Sequence, residues 1–215
     1  MCIRDRAYFD TRVVFVSETG PKDNRTKRLA IMDQDGANYR LLKHPPSLVI
    51  APRFSPSGNK IIFTGYETGK PRVYLMDLSS EEISSLPELK GMSFAPRFST
   101  DGNQIVLSMT ENGNTDIFIT SLVEGTKRRL TTNSAIDTAP SFSPDGMRVV
   151  FESDRGGGQQ LYIISTEGGE AKRISFGRGR YATPVWSPRG DLIAFTKIKE
   201  GISHFLDWYL DYVAR

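Results

Sequence analysis

The sequence predicts an all-β fold, a β-propeller of four-stranded blades, from three observations. A proline-containing octapeptide recurs at a fixed interval, hydrophobic positions keep step with it, and each interval has room for four short strands. The octapeptide Ala139-Pro140-Ser141-Phe142-Ser143-Pro144-Asp145-Gly146 stands upstream as Ala51 to Gly58 and Ala95 to Gly102, and downstream as Thr183 to Gly190. The leading prolines, Pro52, Pro96, Pro140 and Pro184, are 44 residues apart. A period of about 40–45 residues with strand-like content is the mark of a propeller array, one blade per repeat. Phe63, Leu107, Phe151 and Phe195 follow the same step, as do Tyr74, Phe118 and Tyr162, and Leu42, Leu86, Leu130 and Ile174. A gapless repeat of this kind argues against an unrelated β-sandwich.

Each repeat justifies its strands in order. Pro-x-Phe/Trp-Ser is strand A. Ser-Pro-Asp-Gly is a turn, because proline presets φ at its first central position and glycine tolerates a positive φ at its end. Strand B follows at Lys60 to Thr64, Gln104 to Ser108, Arg148 to Glu152 and Leu192 to Lys197. A hairpin leads to strand C (Val73 to Met76, Asp116 to Thr120, Gln160 to Ile164), and a second turn to strand D (Lys127 to Thr131, Ala171 to Ser175). Aromatic residues stacked from blade to blade form the core, each buried ring contributing roughly 1.5–3 kcal/mol.

Taken from the start, Met1 to Arg6 reads as a non-native leader. Arg12 to Ser17 is a strand B and Leu29 to Asp33 a strand C, joined by a charged hairpin, Glu18 to Lys27. Tyr39 to Leu42 is a strand D, so the first blade has three strands and lacks a strand A. Propeller residues run over 7–197, with blades at about 8–46, 47–90, 91–134, 135–178 and a partial one at 179–197. Beyond Lys197 the repeat breaks. Ile202, Phe205, Leu206, Tyr209, Leu210 and Val213 have helix-like spacing. Residues 198–215 read either as a terminal helix or, preferably, as a frameshifted tail. Some four and a half blades cannot close a ring, so the chain reads as a fragment whose ends expose β edges prone to aggregation.

Composition excludes several function classes. Hydrophobic residues make up 38% and charged ones 25%, as in soluble globular proteins. The net charge of +3 comes from scattered residues, with no basic run interleaved with aromatics, so nucleic acid is not an expected partner. The one cysteine, Cys2, excludes an intrachain disulfide. No apolar run has spanning length, so direct membrane insertion is not expected.

Motifs that could carry chemistry are poorly placed. Gly91-Met92-Ser93-Phe94-Ala95 approaches a G-x-S-x-G nucleophile elbow, but strand A follows it where the elbow needs a helix. Only His44 and His204 could serve it as a base. Gly177-Arg178-Gly179-Arg180-Tyr181-Ala182 matches a phosphate-binding pattern but leads into a strand, and reads as an inter-blade connection. Asp33-Gln34-Asp35-Gly36 opens like a calcium loop without the later glutamate, and reads as a hairpin turn. Asn24-Arg25-Thr26 is a formal glycosylation sequon. No His or Cys spacing suits a metal.

What remains is a surface. The connections from strand D to the next strand A, at 46–50, 91–94, 135–138 and 179–182, gather at one mouth of a propeller's channel. They carry Leu48, Val49, Met92, Phe94, Ile136 and Tyr181, residue types suited to a protein-binding mouth, or to plugging the channel and padding neighbouring blades.

Over about Tyr8 to Lys197 the sequence resembles the TolB family of periplasmic propellers, in its alphaproteobacterial form. Pro-x-aromatic-Ser alone is shared with other propellers, including those of prolyl-oligopeptidase-type peptidases. More specific are Arg28 to Asn38, Gly69 to Leu75, Gly91 to Ser99, Phe151 to Gly157 and Thr183 to Asp191. The resemblance implies a secreted protein with an N-terminal α/β domain and a six-bladed propeller, non-catalytic and periplasmic. It implies binding of the peptidoglycan-associated lipoprotein Pal at the channel mouth, alongside the inner-membrane Tol proteins, in support of outer-membrane integrity and constriction at division. Colicins are further partners that it suggests. No cofactor is implied beyond a calcium ion that the channel holds in some complexes. Carried over by position, the Pal-contacting residues are Met92, Ser93, Phe94 and Ala95, Asp137 and Thr138, and by extension Arg180 and Tyr181. This chain departs from the family pattern in lacking the signal peptide, the N-terminal domain, the sixth blade and the closing strand. The alternative is the propeller gate of a prolyl-oligopeptidase-type serine peptidase without its hydrolase domain.

Overall fold

The computed structural model describes residues 11–43, 48–67, 69–86, 89 and 91–199, and the backbone of 202–209. The leader at 1–6, His44 and the side chain of His204 lie outside the described residues. Eighteen strands make five antiparallel sheets, with no helix among the described residues. This is the expected all-β, propeller-type arrangement of four-stranded blades.

The chain divides into two compact units, Met1–Leu86 and Pro87–Arg215. The first unit holds sheet one, β1 (Arg12–Thr19), β2 (Thr26–Asp33) and β3 (Arg40–Leu41), and sheet two, β4 (Val49–Phe54), β5 (Lys60–Gly65), β6 (Arg72–Asp77) and β7 (Ile83–Ser85). The second unit holds three sheets. Sheet three is β8 (Met92–Phe98), β9 (Gln104–Glu111), β10 (Asn114–Ser121) and β11 (Lys127–Arg129). Sheet four is β12 (Asp137–Phe142), β13 (Arg148–Ser153), β14 (Gln160–Ser165) and β15 (Gly168–Arg173). Sheet five is β16 (Arg180–Trp186), β17 (Ile193–Lys199) and β18 (Ile202–Tyr209).

The core lies between neighbouring sheets. In the first unit Leu29, Ile31, Leu42, Val49, Ile61, Phe63 and Tyr74 form one cluster. In the second, Ile117, Leu130, Val149, Phe151 and Tyr162 join sheets three and four, and Leu161, Tyr181, Trp186 and Phe195 join sheets four and five. The repeat positions predicted to bury an aromatic do so, but these rings stack across neighbouring strands of one sheet rather than from sheet to sheet: Phe63 on Tyr74 at 5.7 Å and Phe151 on Tyr162 at 6.0 Å. Arginine stacks join neighbouring sheets. Arg12 lies 5.4 Å from the Phe54 ring, and Arg148 lies 5.1 Å from that of Trp186.

The Ser-Pro-Asp-Gly turn closes the same way in each of its four copies. Glycine N–H donates to the serine carbonyl, as in Gly146 to Ser143 at 2.9 Å, and the serine hydroxyl accepts the N–H that opens the next strand, as from Arg148 at 2.9 Å. In two copies the serine also donates to the turn aspartate, Asp101 or Asp145. That bond is the main cause holding both carboxyls below their ordinary pKa.

Three expectations change. Strand A is longer than Pro-x-Phe-Ser. It starts three or four residues before the proline, so the predicted connecting loops are largely strand. It can pass through the proline because each copy makes a β-bulge there. Ala51 and Pro52 together oppose Phe63, and the register shifts at the same place in β8, β12 and β16. The residue before each proline is left-handed, with φ of 51–52° at Ala51, Ala95, Ala139 and Thr183. A bulge leaves the proline unpaired, which a residue without an N–H requires. Second, the charged hairpin is strand as far as Thr19 and Thr26, because Glu18 opposite Lys27 pairs with both Lys27 and Arg25. Third, the helical reading of the tail is overturned for residues 202–209. They form β18, antiparallel to β17.

Candidate functional site

In the second unit the first strands of the sheets lie side by side, β12 against both β8 and β16. All three begin at the same end of their sheets, where the connections enter, so this rim gathers the residues singled out from the sequence.

In β8 and β16 the approach to the bulge is strand and its side chains alternate, and the same alternation in exposure runs from Ile136, just before β12, into that strand. Met92 is 38% exposed, Ile136 is 54% exposed and Arg180 is exposed. The next residue in each copy, Ser93, Asp137 or Tyr181, is buried, and Phe94, Ala95 and Thr138 are half-buried. Of the eight residues carried over by position, Met92 and Arg180 therefore face outward, while Ser93, Asp137 and Tyr181 face the interior and position the others. Ile136, noted as a loop hydrophobe, is the exposed residue of its pair. Phe176 (64% exposed) and Arg178, in the connection that the Gly-Arg-Gly sequence marks, are exposed as well.

Buried Asp137 is held by Arg155, whose guanidinium donates to Oδ2 at 2.7 Å and to Ser153 at 2.9 Å. The same guanidinium lies 4.9 Å from the Tyr162 ring and 5.3 Å from that of Phe151. Asp137 Oδ1 is buried without a hydrogen-bond partner among the described residues. Asp154, beside Arg155, accepts the N–H of Ile136 at 2.9 Å. The β13–β14 hairpin thus holds the connection into sheet four by two adjacent residues.

Glu152 ties sheet four to sheet five. It is buried, accepts from Thr138 Oγ1 at 2.6 Å, and accepts the N–H of the bulge residue Thr183 at 2.9 Å. Ser108, one repeat earlier, does the same for the N–H of Ala139 at 3.1 Å. A bulge N–H points out of its own ladder, and the second strand of the preceding sheet satisfies it.

A polar framework underlies the rim twice. In sheet three, Thr131 Oγ1 accepts the N–H of Ile117 at 3.0 Å and Arg129 Nε donates to Thr131 O at 2.9 Å. In sheet four, Ser175 Oγ accepts the N–H of Leu161 at 2.8 Å and Arg173 Nε donates to Ser175 O at 2.7 Å. Asp116 in sheet three is replaced by Gln160 in sheet four. Asp116 forms an ion pair with Arg129 at 2.5 Å, and burial, the largest influence, raises its pKa against that pairing. Gln160 instead donates to Gly179 O at 3.2 Å.

Ser93 is buried in β8, and among the described residues no helix follows it as a nucleophile elbow requires. A cleft of about 430 Å³ beside Thr131, Asn133, Arg155 and Glu170 holds no histidine or cysteine. Asp33 to Gly36 closes the β2–β3 turn, with Gly36 N–H donating to Asp33 O at 2.9 Å. Among the described residues no three His, Cys, Asp or Glu gather where they could hold a metal ion.

Comparison with known proteins gives this architecture a family. The profile of the TolB beta propeller domain matches residues 3–212. The chain belongs to the TolB β-propeller family. A curated relative, the Tol-Pal system protein TolB of Cereibacter sphaeroides (strain ATCC 17025 / ATH 2.4.3), is 62% identical over 84 residues, which cover 39% of this chain and 19% of that protein. The crystal structure of TolB from Acinetobacter baumannii superposes with a TM-score of 0.77 at 30% identity, covering 94% of this chain and 50% of that one. The chain thus spans about half of that TolB, and the matched stretch is about a fifth of the curated relative. TolB proteins are non-catalytic, periplasmic components of the Tol–Pal system of Gram-negative bacteria. A structure from a study of two prolyl endopeptidases also superposes, with a TM-score of 0.62 at 14% identity over 86% of this chain and 31% of that one, a likeness of fold alone.

Proposed function

We propose that this chain is the propeller part of a periplasmic TolB that binds the lipoprotein Pal at the rim where the first strands begin. Through that contact it works with the inner-membrane Tol proteins in outer-membrane integrity and constriction at division. The observation that carries this reading is a pair of exposed apolar side chains at equivalent positions of adjacent sheets, Met92 at the start of β8 and Ile136 just before β12, where exposed apolar side chains serve as anchors for a protein partner. Ser93, Asp137, Thr138 and Tyr181 support that contact from beneath, and Phe94 and Ala95 border it. Colicins that use the same face are a corollary of this reading.

The test is a titration of the full protein with the soluble domain of Pal, alongside M92R and I136R. Micromolar or tighter binding, weakened at least ~30-fold in each variant, is expected, since a charge at an apolar anchor costs about 2 kcal/mol or more. A folded protein that does not bind Pal, or variants that bind it unchanged, would refute the reading.

A further inference from the structure

The rim of the second unit is not uniform in charge. At the exposed strand-start position, sheets three and four carry Met92 and Ile136, while sheet five carries Arg180. The connection before it, 174–179, presents Phe176 and Arg178 to solvent. Arg178 sits between Gly177 (φ 105°) and Gly179 (φ 107°), backbone that only glycine adopts without strain. Among the described residues neither Arg178 nor Arg180 has a carboxylate partner. Arg173 is also without one, because Gln160 stands where sheet three has Asp116, and its guanidinium lies 5.5 Å from the Phe176 ring. Three arginines and an exposed ring thus share one short segment.

That segment is held in place. Tyr181 Oη donates to Phe176 O at 2.8 Å, Gln160 Nε2 to Gly179 O at 3.2 Å, and Tyr181 N–H to Gln159 O at 2.9 Å. A loop tethered at both ends loses little freedom on binding, so its exposed groups act as a preorganised contact.

We infer that the Phe176–Arg180 connection is the docking site for an acidic protein segment that also carries apolar side chains. The carboxylates pair with Arg173, Arg178 and Arg180, since guanidinium forks bind them in bidentate fashion. The apolar side chains cover Phe176 and extend toward Ile136. The site is the charged sector of the rim proposed above. It rests on that reading only for the identity of the protein that supplies the segment.

The experiment uses two synthetic peptides, one alternating Glu with Leu and the other alternating Lys with Leu, titrated into the isotope-labelled full protein. The acidic peptide is expected to bind and to shift the amides of residues 173–181, and the basic one is not. R178Q/R180Q should weaken the acidic peptide at least ~10-fold with an unchanged melting temperature, and R189Q, a control at an exposed turn cation, should leave it as it was. Failure of the acidic peptide to bind, equal binding of both peptides, equal binding to R178Q/R180Q, or shifts confined to other residues would each overturn the inference. The Pal domain is titrated in parallel. Loss of Pal binding alone refutes the functional reading and leaves the acidic site standing.

Discussion

The connection into sheet four, residues 131–137, and the connection out of it, 175–181, are built on one framework and differ in charge. Both hang from a hydroxyl that accepts a strand N–H, Thr131 or Ser175, and both fix an arginine to the following carbonyl. On the way in, each arginine meets a buried carboxylate, Arg129 with Asp116 and Arg155 with Asp137. On the way out, Gln160 and Tyr181 occupy the places of those two acids; half-buried Arg173 bonds a carbonyl instead of a carboxylate, and Arg178 and Arg180 are exposed. The first arrangement uses its charges to hold the fold, while the second leaves Arg178 and Arg180 open to the partner inferred above. A repeat protein can therefore divide stability and recognition between successive copies of one motif, because the hydroxyl-to-backbone bonds are common to both copies while the charges are not.

The largest effect that could break this comparison is on stability. R155A strands Asp137 in the interior with neither oxygen paired to a cation, and should cost about 3–5 kcal/mol. R180A, an exposed side chain at the other connection, should stay within about 0.5 kcal/mol. Denaturant unfolding of the two variants checks both. If they cost the same, the division between structural and free arginines is wrong.

A smaller change comes from Y181F. It leaves the ring against Phe195 at 5.4 Å but removes the bond to Phe176 O, and should cost about 1 kcal/mol while loosening the loop. Hydrogen exchange at residues 176–179 should quicken relative to the rest of sheet five. Exchanging the acids sharpens the contrast further. Q160D should pair Arg173 and also remove the Gln160 bond to Gly179 O, and both changes should weaken binding of the acidic peptide. The same peptide titration with D116Q, which unpairs Arg129, should show a second, weaker set of shifted amides near residue 131.

The smallest effect is at the opposite end of the sheets. The Asp145 carboxyl is held below its ordinary pKa, first by the Ser143 hydroxyl and then by the Met147 N–H. A lowered native pKa stabilises above the unfolded value, near 4, and that contribution fades as pH falls through the native value. D145N should therefore melt slightly below wild type at pH 7, and the two should converge as the pH falls from the unfolded value through the lowered native one. A gap that persists or widens in acid would contradict this origin.

The period and its turns were legible because Ser-Pro-x-Gly and the aromatic step repeat without gaps. Which residues face outward on the rim was not. Strand patterns are read from apolar-in, polar-out alternation, and in sheets three and four that pattern is inverted. Ser93 and Asp137 are buried while their neighbours Met92 and Ile136 are exposed, and only Tyr181 with Arg180 in sheet five keeps the ordinary order. Asp137 can be buried only because Arg155, 18 residues on, meets it, a pairing visible only once β12 and β13 are in register. The bulge was hidden for a related reason. Its left-handed residue is alanine or threonine rather than glycine, so no local signal marks it. The tail misled in the other direction, as apolar residues at helical spacing also suit an antiparallel partner for β17.

The most direct test of the account is to map the Pal domain onto the isotope-labelled full protein by amide shifts, residue by residue. The account predicts shifts at Met92, Ile136 and 176–181, with the last group lost in R178Q/R180Q and the first two retained. Shifts confined to the Ser-Pro-Asp-Gly turns at the other end of the sheets would contradict it.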